Sequence, residues 1–178
     1  MNDIVAEVKT TLRLAGLLNV VEWLEHTDYF TAPASASYHG AVEGGLVRHS
    51  YFVYVTLSAW TEKLGIKWKS EHSPAIIGLL HDVCKIGLYI PRRNSLGVSY
   101  TYSHSHPEGH GTLSVKMLSE HMELTDEEQA WIKYHMGTWT HDIDETLGDP
   151  SYTDMVHRFP NVLWTHTADM YASQILER

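Results

Sequence analysis

Six side chains of metal-ligand type interrupt apolar stretches of this chain: His49, His81, Asp82, His110, His135 and Asp169. His81 and Asp82 stand side by side in "GLLHDVCKIG" (78–87), ending the apolar run from Ile76 to Leu80. A carboxylate drawn into a core needs a counter-charge or a metal. His49 falls where the stripe Leu46, Val53, Leu57 would take a hydrophobe, and His135 follows Trp131 and Ile132. His110 opens a helical pattern, and Asp169 shares a helical face with Val162, Thr165, Ala172 and Leu176. A lone histidine on an apolar face is ordinarily a hydrogen-bonded core residue. Six ligand-type residues on five segments point instead to one shared centre.

Imidazole and carboxylate together suit Mn, Fe, Co, Ni or Zn, whereas a site without histidine would suggest Mg or Ca. One or two such divalent transition-metal ions are therefore expected. Neighbouring residues on a helix diverge by about 100°, so His81 and Asp82 can serve one cation, or Asp82 can bridge to a second. Two cations roughly 3.5–4 Å apart share a hydroxide that attacks phosphorus in line at neutral pH. Lys85, one turn further along, would meet the charge developing on a phosphate oxygen. Asp82 and Lys85 are the residues expected to carry the catalysis.

The elements that must position these groups follow from apolar spacing, which is helical nearly throughout. Ile4, Val8, Leu12 and Ala15 mark a first helix ended by Gly16, and "LLNVVEWLEH" (17–26) a second. Residues 27–44 read as an ordered loop, too rich in Tyr29, Phe30 and Tyr38 for a free linker. Leu46, Val53, Leu57, Trp60 and Leu64 form the stripe of a long helix closed by Gly65. Ser73-Pro74 reads as an N-cap and first-turn pair for a helix from about 74 to 86, with Gly87 past its end. "LYIPRRNSLGVSYTY" (88–102) alternates around Asn94–Gly97, as a short β-hairpin or an irregular excursion would. A helix from about Glu108 to His121 comes next, and Thr125 with Glu128 forms a capping box for "DEEQAWIKYHM" (126–136). Residues 137–160 are loop-like around a short helix near 152–158, and Pro160 precedes a last helix. With no repeat and no boundary, the expectation is one all-α domain over residues 1–178. It would be a bundle of about seven helices, with a hairpin excursion near 88–103.

Composition narrows the function. At 178 residues and 43% apolar, the chain can bury a real core. No stretch approaches the roughly 20 apolar residues of a membrane span, and "MNDIVAEVKTTLRLAG" reads as a surface helix rather than a signal peptide. Cys84 is the only cysteine, so neither a disulfide nor a cysteine zinc site is expected, and a reducing cytoplasm is the natural home. Thirteen Lys and Arg face 22 acidic residues, a net charge of −9. That balance argues against long duplex nucleic acid, whose phosphates are held by basic side chains.

The five segments bearing the ligand-type residues resemble, in order, those of the HD-domain superfamily of metal-dependent phosphohydrolases. They are "YHGAVEGGLVRHS" (38–50), "LLHDVCKIG" (79–87), "EGHGTLSVKML" (108–118), "IKYHMG" (132–137) and "VLWTHTADMYAS" (162–173). The likeness is greatest to a small single-domain subgroup encoded by bacteria and their phages, and extends to the HD domain of certain 3′–5′ exoribonucleases. It implies that His49, His81, Asp82 and Asp169 hold one metal, and that Asp82, His110 and His135 serve a second. Cys84 stands where many members carry glycine, and Met136 where several branches carry another histidine. No Gly-Tyr-Pro follows "HMGTWTHD" (135–142), which weakens the likeness to the cyclic-dinucleotide phosphodiesterase branch.

Among the remaining residues, His39 and Glu43 sit in the loop before His49; His39 reads equally as a substrate-binding group or a loop-packing one. Arg48, Arg92 and Arg93 read as solvated charges rather than phosphate ligands, and His166 as support for Asp169. The expected function is hydrolysis of a phosphate ester of a small nucleotide. Alternatives are a phosphodiesterase for short oligonucleotides or cyclic nucleotides, a catalytically silent nucleotide-binding scaffold, and oxygenase chemistry at a di-iron centre. The expected partner is a small molecule, with no long duplex and no membrane; oligomeric state is left open.

Overall fold

The computed structural model describes residues 1–95, 97–104, 109–140 and 148–177. Among these residues are eight α-helices and one two-stranded hairpin. Helix α1 (Asn2–Leu14) turns at Gly16, whose φ of +78° favours glycine, into α2 (Leu18–Glu25). The long helix α3 (Gly45–Leu64) buries Leu46, Val53 and Leu57 and ends at Gly65 in the left-handed conformation. Between α2 and α3, residues 27–44 form the expected ordered loop. The Ala34 N–H bonds the Gly40 carbonyl and the Gly44 N–H the Thr31 carbonyl, each at 2.9 Å. Buried Tyr29 donates its hydroxyl to the Leu79 carbonyl.

Helix α4 (Ser73–Leu80) is shorter than its apolar run suggests. Asp82 leaves helical geometry (φ −110°, ψ 20°), and a 3₁₀ turn, Val83–Lys85, follows. The Cys84 N–H donates to the Ser114 hydroxyl at 3.2 Å, in place of the carbonyl one α turn back. Its start differs too: Ser73 lies inside the helix, and its hydroxyl donates to Glu128 at 2.8 Å rather than capping. The hairpin pairs β1 (Tyr89–Asn94) with β2 (Gly97–Tyr102), Tyr89 opposite Tyr102.

Helix α5 (His110–Ser119) is shorter than expected, and Glu108 lies outside the described residues. The Thr125–Glu128 capping box opens α6 (Asp126–Lys133), which ends before His135 rather than continuing to Met136. A second capping box, Ser151–Asp154, opens α7 (Tyr152–Arg158). Helix α8 (Asn161–Tyr171) continues as a π-helical turn, Ala172–Leu176.

Two apolar clusters form the core. One joins Val8, Leu12, Val21, Leu46, Leu80 and Ile132; the other joins Val53, Leu57, Ile77, Trp131, Val162 and Ala168. Helices α3, α4 and α6 contribute to both, so a seam runs where they cross. His49, between Leu46 and Val53, lies on that seam. No helix among the described residues is long and apolar enough to cross a membrane.

Candidate metal centre

Glycine brings the seam together. A Cβ on Gly78 would lie 2.5 Å from the Tyr54 Cα, so α4 presses directly on the backbone of α3. A Cβ on Gly111 would lie 2.1 Å from the Lys133 carbonyl oxygen, so α5 presses on α6 in the same way.

Three imidazoles converge on Asp82. His81 Nε2 is 3.4 Å and His49 Nε2 3.8 Å from Oδ2, and His135 Nε2 is 3.5 Å from Oδ1. In each ring the other nitrogen is held by an acceptor. His81 Nδ1 donates to the Gly78 carbonyl (3.1 Å), His135 Nδ1 to the Ile132 carbonyl (2.7 Å) and His49 Nδ1 to Glu177 Oε2 (2.8 Å). Acceptors on Nδ1 fix its proton and leave Nε2 to face the centre. Asp169 completes the group, Oδ1 at 3.1 Å from His49 Nε2 but outside hydrogen-bond geometry. The Nε2 atoms of His49 and His81 are buried with no hydrogen-bond partner among the described residues.

The electrostatics follow from this crowding. Burial alone would raise the Asp82 carboxyl, but Lys85 and His81 outweigh it and hold Asp82 well below the usual range. Burial likewise opposes ionisation of Asp169, and His49 reverses that. Burial pulls the His49 pKa down, while Asp169 and Glu177 push it up to about 9. His135 is raised against its own desolvation by Asp82. Lys85 Nζ is 2.7 Å from Asp82 Oδ2, and that carboxylate keeps the ammonium charged despite burial.

His49, His81 and Asp82 place their ligand atoms within 4.8 Å of one another, as do His81, His135 and Asp169. Buried imidazole nitrogens without hydrogen-bond partners among the described residues, beside two ionised carboxylates, fit a divalent transition-metal ion. The nearby thiol does not add a soft ligand, because burial and Asp82 push Cys84 up to about 12.

The structure thus gathers His49, His81, Asp82, His135, Asp169 and Lys85. His110, the first residue of α5, lines the same cavity with Nδ1 3.8 Å from Cys84 Sγ, but belongs to none of these groups. His39 reaches the cavity, its ring 4.8 Å from that of His49. Glu43 is exposed in a separate groove beside the hairpin. Arg92 and Arg93 are exposed as expected, but Arg48 is not a solvated charge: its Nε is 3.5 Å from Glu177 Oε1. His166 bonds the His135 carbonyl (2.8 Å) and so supports that residue rather than Asp169.

The cavity over this centre measures about 610 Å³ and is lined by Tyr38, Tyr89, Tyr102, Trp139 and Met170 besides the polar groups. Sequence reasoning missed Glu177 because helical periodicity puts Leu176 on the Asp169 face. Leu176 is instead 39% exposed, and the Glu177 side chain is fully buried.

Residues 46–164 match the HD domain when the chain is compared with known families. The chain belongs to the HD-domain family. No curated protein and no solved structure matches it. HD domains are mostly metal-dependent phosphohydrolases, and the donor set found here is of the kind that such chemistry uses. The match contains His49, His81, Asp82, His110 and His135. Asp169 and Glu177 lie beyond it and join the site through the fold.

Proposed function

We propose that this HD domain hydrolyses a phosphate ester of a small nucleotide. The observation that carries the reading is the placement of the His49–His81–Asp82–His135–Asp169 cluster beneath an aromatic-walled cavity of about 610 Å³, into which Asp82 and Asp169 open. His49, His81, Asp82 and Asp169 would hold one cation, with Asp82 and His135 facing a second and His110 reaching it from the cavity wall. Bound there, a transition-metal ion supplies Lewis acidity toward the phosphate and lowers the pKa of a water.

Hydrolysis forms a bond from a water oxygen to phosphorus and breaks the bond to the ester oxygen. Negative charge gathers on the phosphoryl oxygens as it does so. Lys85 is placed to meet it, because an ammonium has three donors and Asp82 engages one. Among the described lining residues it is the one Lys or Arg, which favours a single phosphate over a polyphosphate. Tyr38 (82% exposed), Tyr102 and Trp139 offer ring faces on which a base can stack. His39, with Nε2 buried and unpartnered among the described residues, is a candidate donor to the substrate.

The test supplies Mn, Fe, Co, Ni or Zn and compares mononucleotides, triphosphates, cyclic nucleotides, short oligonucleotides and long duplex. Mononucleotides should turn over best. Preferred cleavage of cyclic or oligomeric substrates would make the protein a phosphodiesterase. No turnover of any phosphate ester by fully loaded protein would contradict the proposal.

A further inference from the structure

Glu177 is an acidic side chain with no exposed surface, placed just after the π-helical turn that ends the chain's last helix. An α turn takes 3.6 residues. The π turn, closed by the Glu177 N–H on the Ala172 carbonyl at 3.1 Å, takes about one more. One turn of each therefore spans roughly eight residues, the separation of Asp169 and Glu177. On an uninterrupted α-helix, residue 177 would lie about 80° off that face. Asp169, Ser173 and Glu177 accordingly line the same cavity. Arg48 Nε, 3.5 Å from Oε1, steadies the carboxylate from the other side.

We propose that Glu177 is a positioning residue for His49. Its Oε2 accepts a hydrogen bond from the Nδ1–H and locks the ring so that Nε2 faces Asp82, His81 and Asp169. The function rests on the metal-centre reading above, since a ligand needs its ring orientation and basicity fixed from behind. The π turn is the device that carries the carboxylate there.

The experiment compares wild type with Glu177→Ala and Glu177→Gln. It measures Zn affinity by chelator competition and the downfield Nδ1–H proton signal of His49 in the metal-free protein. Far-UV circular dichroism verifies the fold of each variant. Glu177→Ala should lose roughly 10–100-fold in Zn affinity together with the His49 proton signal. Glu177→Gln, whose amide oxygen still accepts that hydrogen bond, should keep the signal and bind within about threefold of wild type. Unchanged affinity in Glu177→Ala overturns the proposal. Equal losses in both variants also overturn it, because they make Glu177 a ligand or a bare charge. If wild type binds no metal yet the proton signal depends on Glu177, the hold on His49 stands and the metal-centre reading fails.

Discussion

Asp82 is the residue on which three imidazoles and one ammonium converge. Asp82→Asn keeps its shape but removes the charge, and should abolish turnover and weaken metal retention while the helical circular dichroism persists. Activity within about tenfold of wild type after metal restoration, a loss of under roughly 1.4 kcal/mol, would refute its catalytic role. Lys85→Ala should separate chemistry from metal binding: turnover falls by roughly 10²–10³-fold, as for one preorganised charge stabiliser, and metal content holds. A change confined to metal content would make Lys85 structural. The raised pKa values of His49 and His135 also have a consequence. In the metal-free site His49 keeps its proton up to about pH 9, whereas a cation requires that lone pair. Metal uptake at pH 7.5 should therefore release protons, and affinity should rise with pH until it levels near 9. Calorimetry in buffers of different ionisation enthalpy measures this. Binding heats independent of buffer would contradict it.

At the scale of elements, the seam depends on helices that touch backbone to backbone. Gly78→Ala forces α4 off Tyr54 and moves the carbonyl that holds His81. Overpacking of this kind costs about 1–3 kcal/mol, and a melting temperature lowered by at least about 2 °C is expected, together with weaker metal binding. An unchanged melting temperature would show that the helices have room. Much of this arrangement was legible in advance. Gly16 and Gly65 mark helix ends, Thr125 and Glu128 mark a start, and ligand-type residues stand out wherever a helix stripe should be apolar. What escaped lies where side chains override local periodicity. Ser73-Pro74 and Gly87 bracketed the helix of Asp82 as about 74 to 86, but Ser114, 30 residues away, accepts the Cys84 N–H and breaks it. The helix of His135 stops early as that ring itself takes the Ile132 carbonyl. Glu177 was hidden by a π turn that no 3.6-residue pattern signals.

For the whole molecule, a net charge of −9 and a single lysine among the described residues lining the cavity support the proposed reading, in which one phosphate is held locally and no polyanion is tracked. The HD-domain match spans His49, His81, Asp82 and His135 of the observed cluster. Asp169 and Glu177 add groups from beyond the matched residues. The central claim is that the buried cluster is a metal centre. It is tested most directly by anomalous diffraction from crystals of the protein grown with excess Zn. A peak should lie about 2.0–2.2 Å from His49 Nε2, His81 Nε2, Asp82 and Asp169. Any second peak should fall on the Asp82–His135 side. No peak in the cluster, with its side chains bonded only to one another, would contradict the claim.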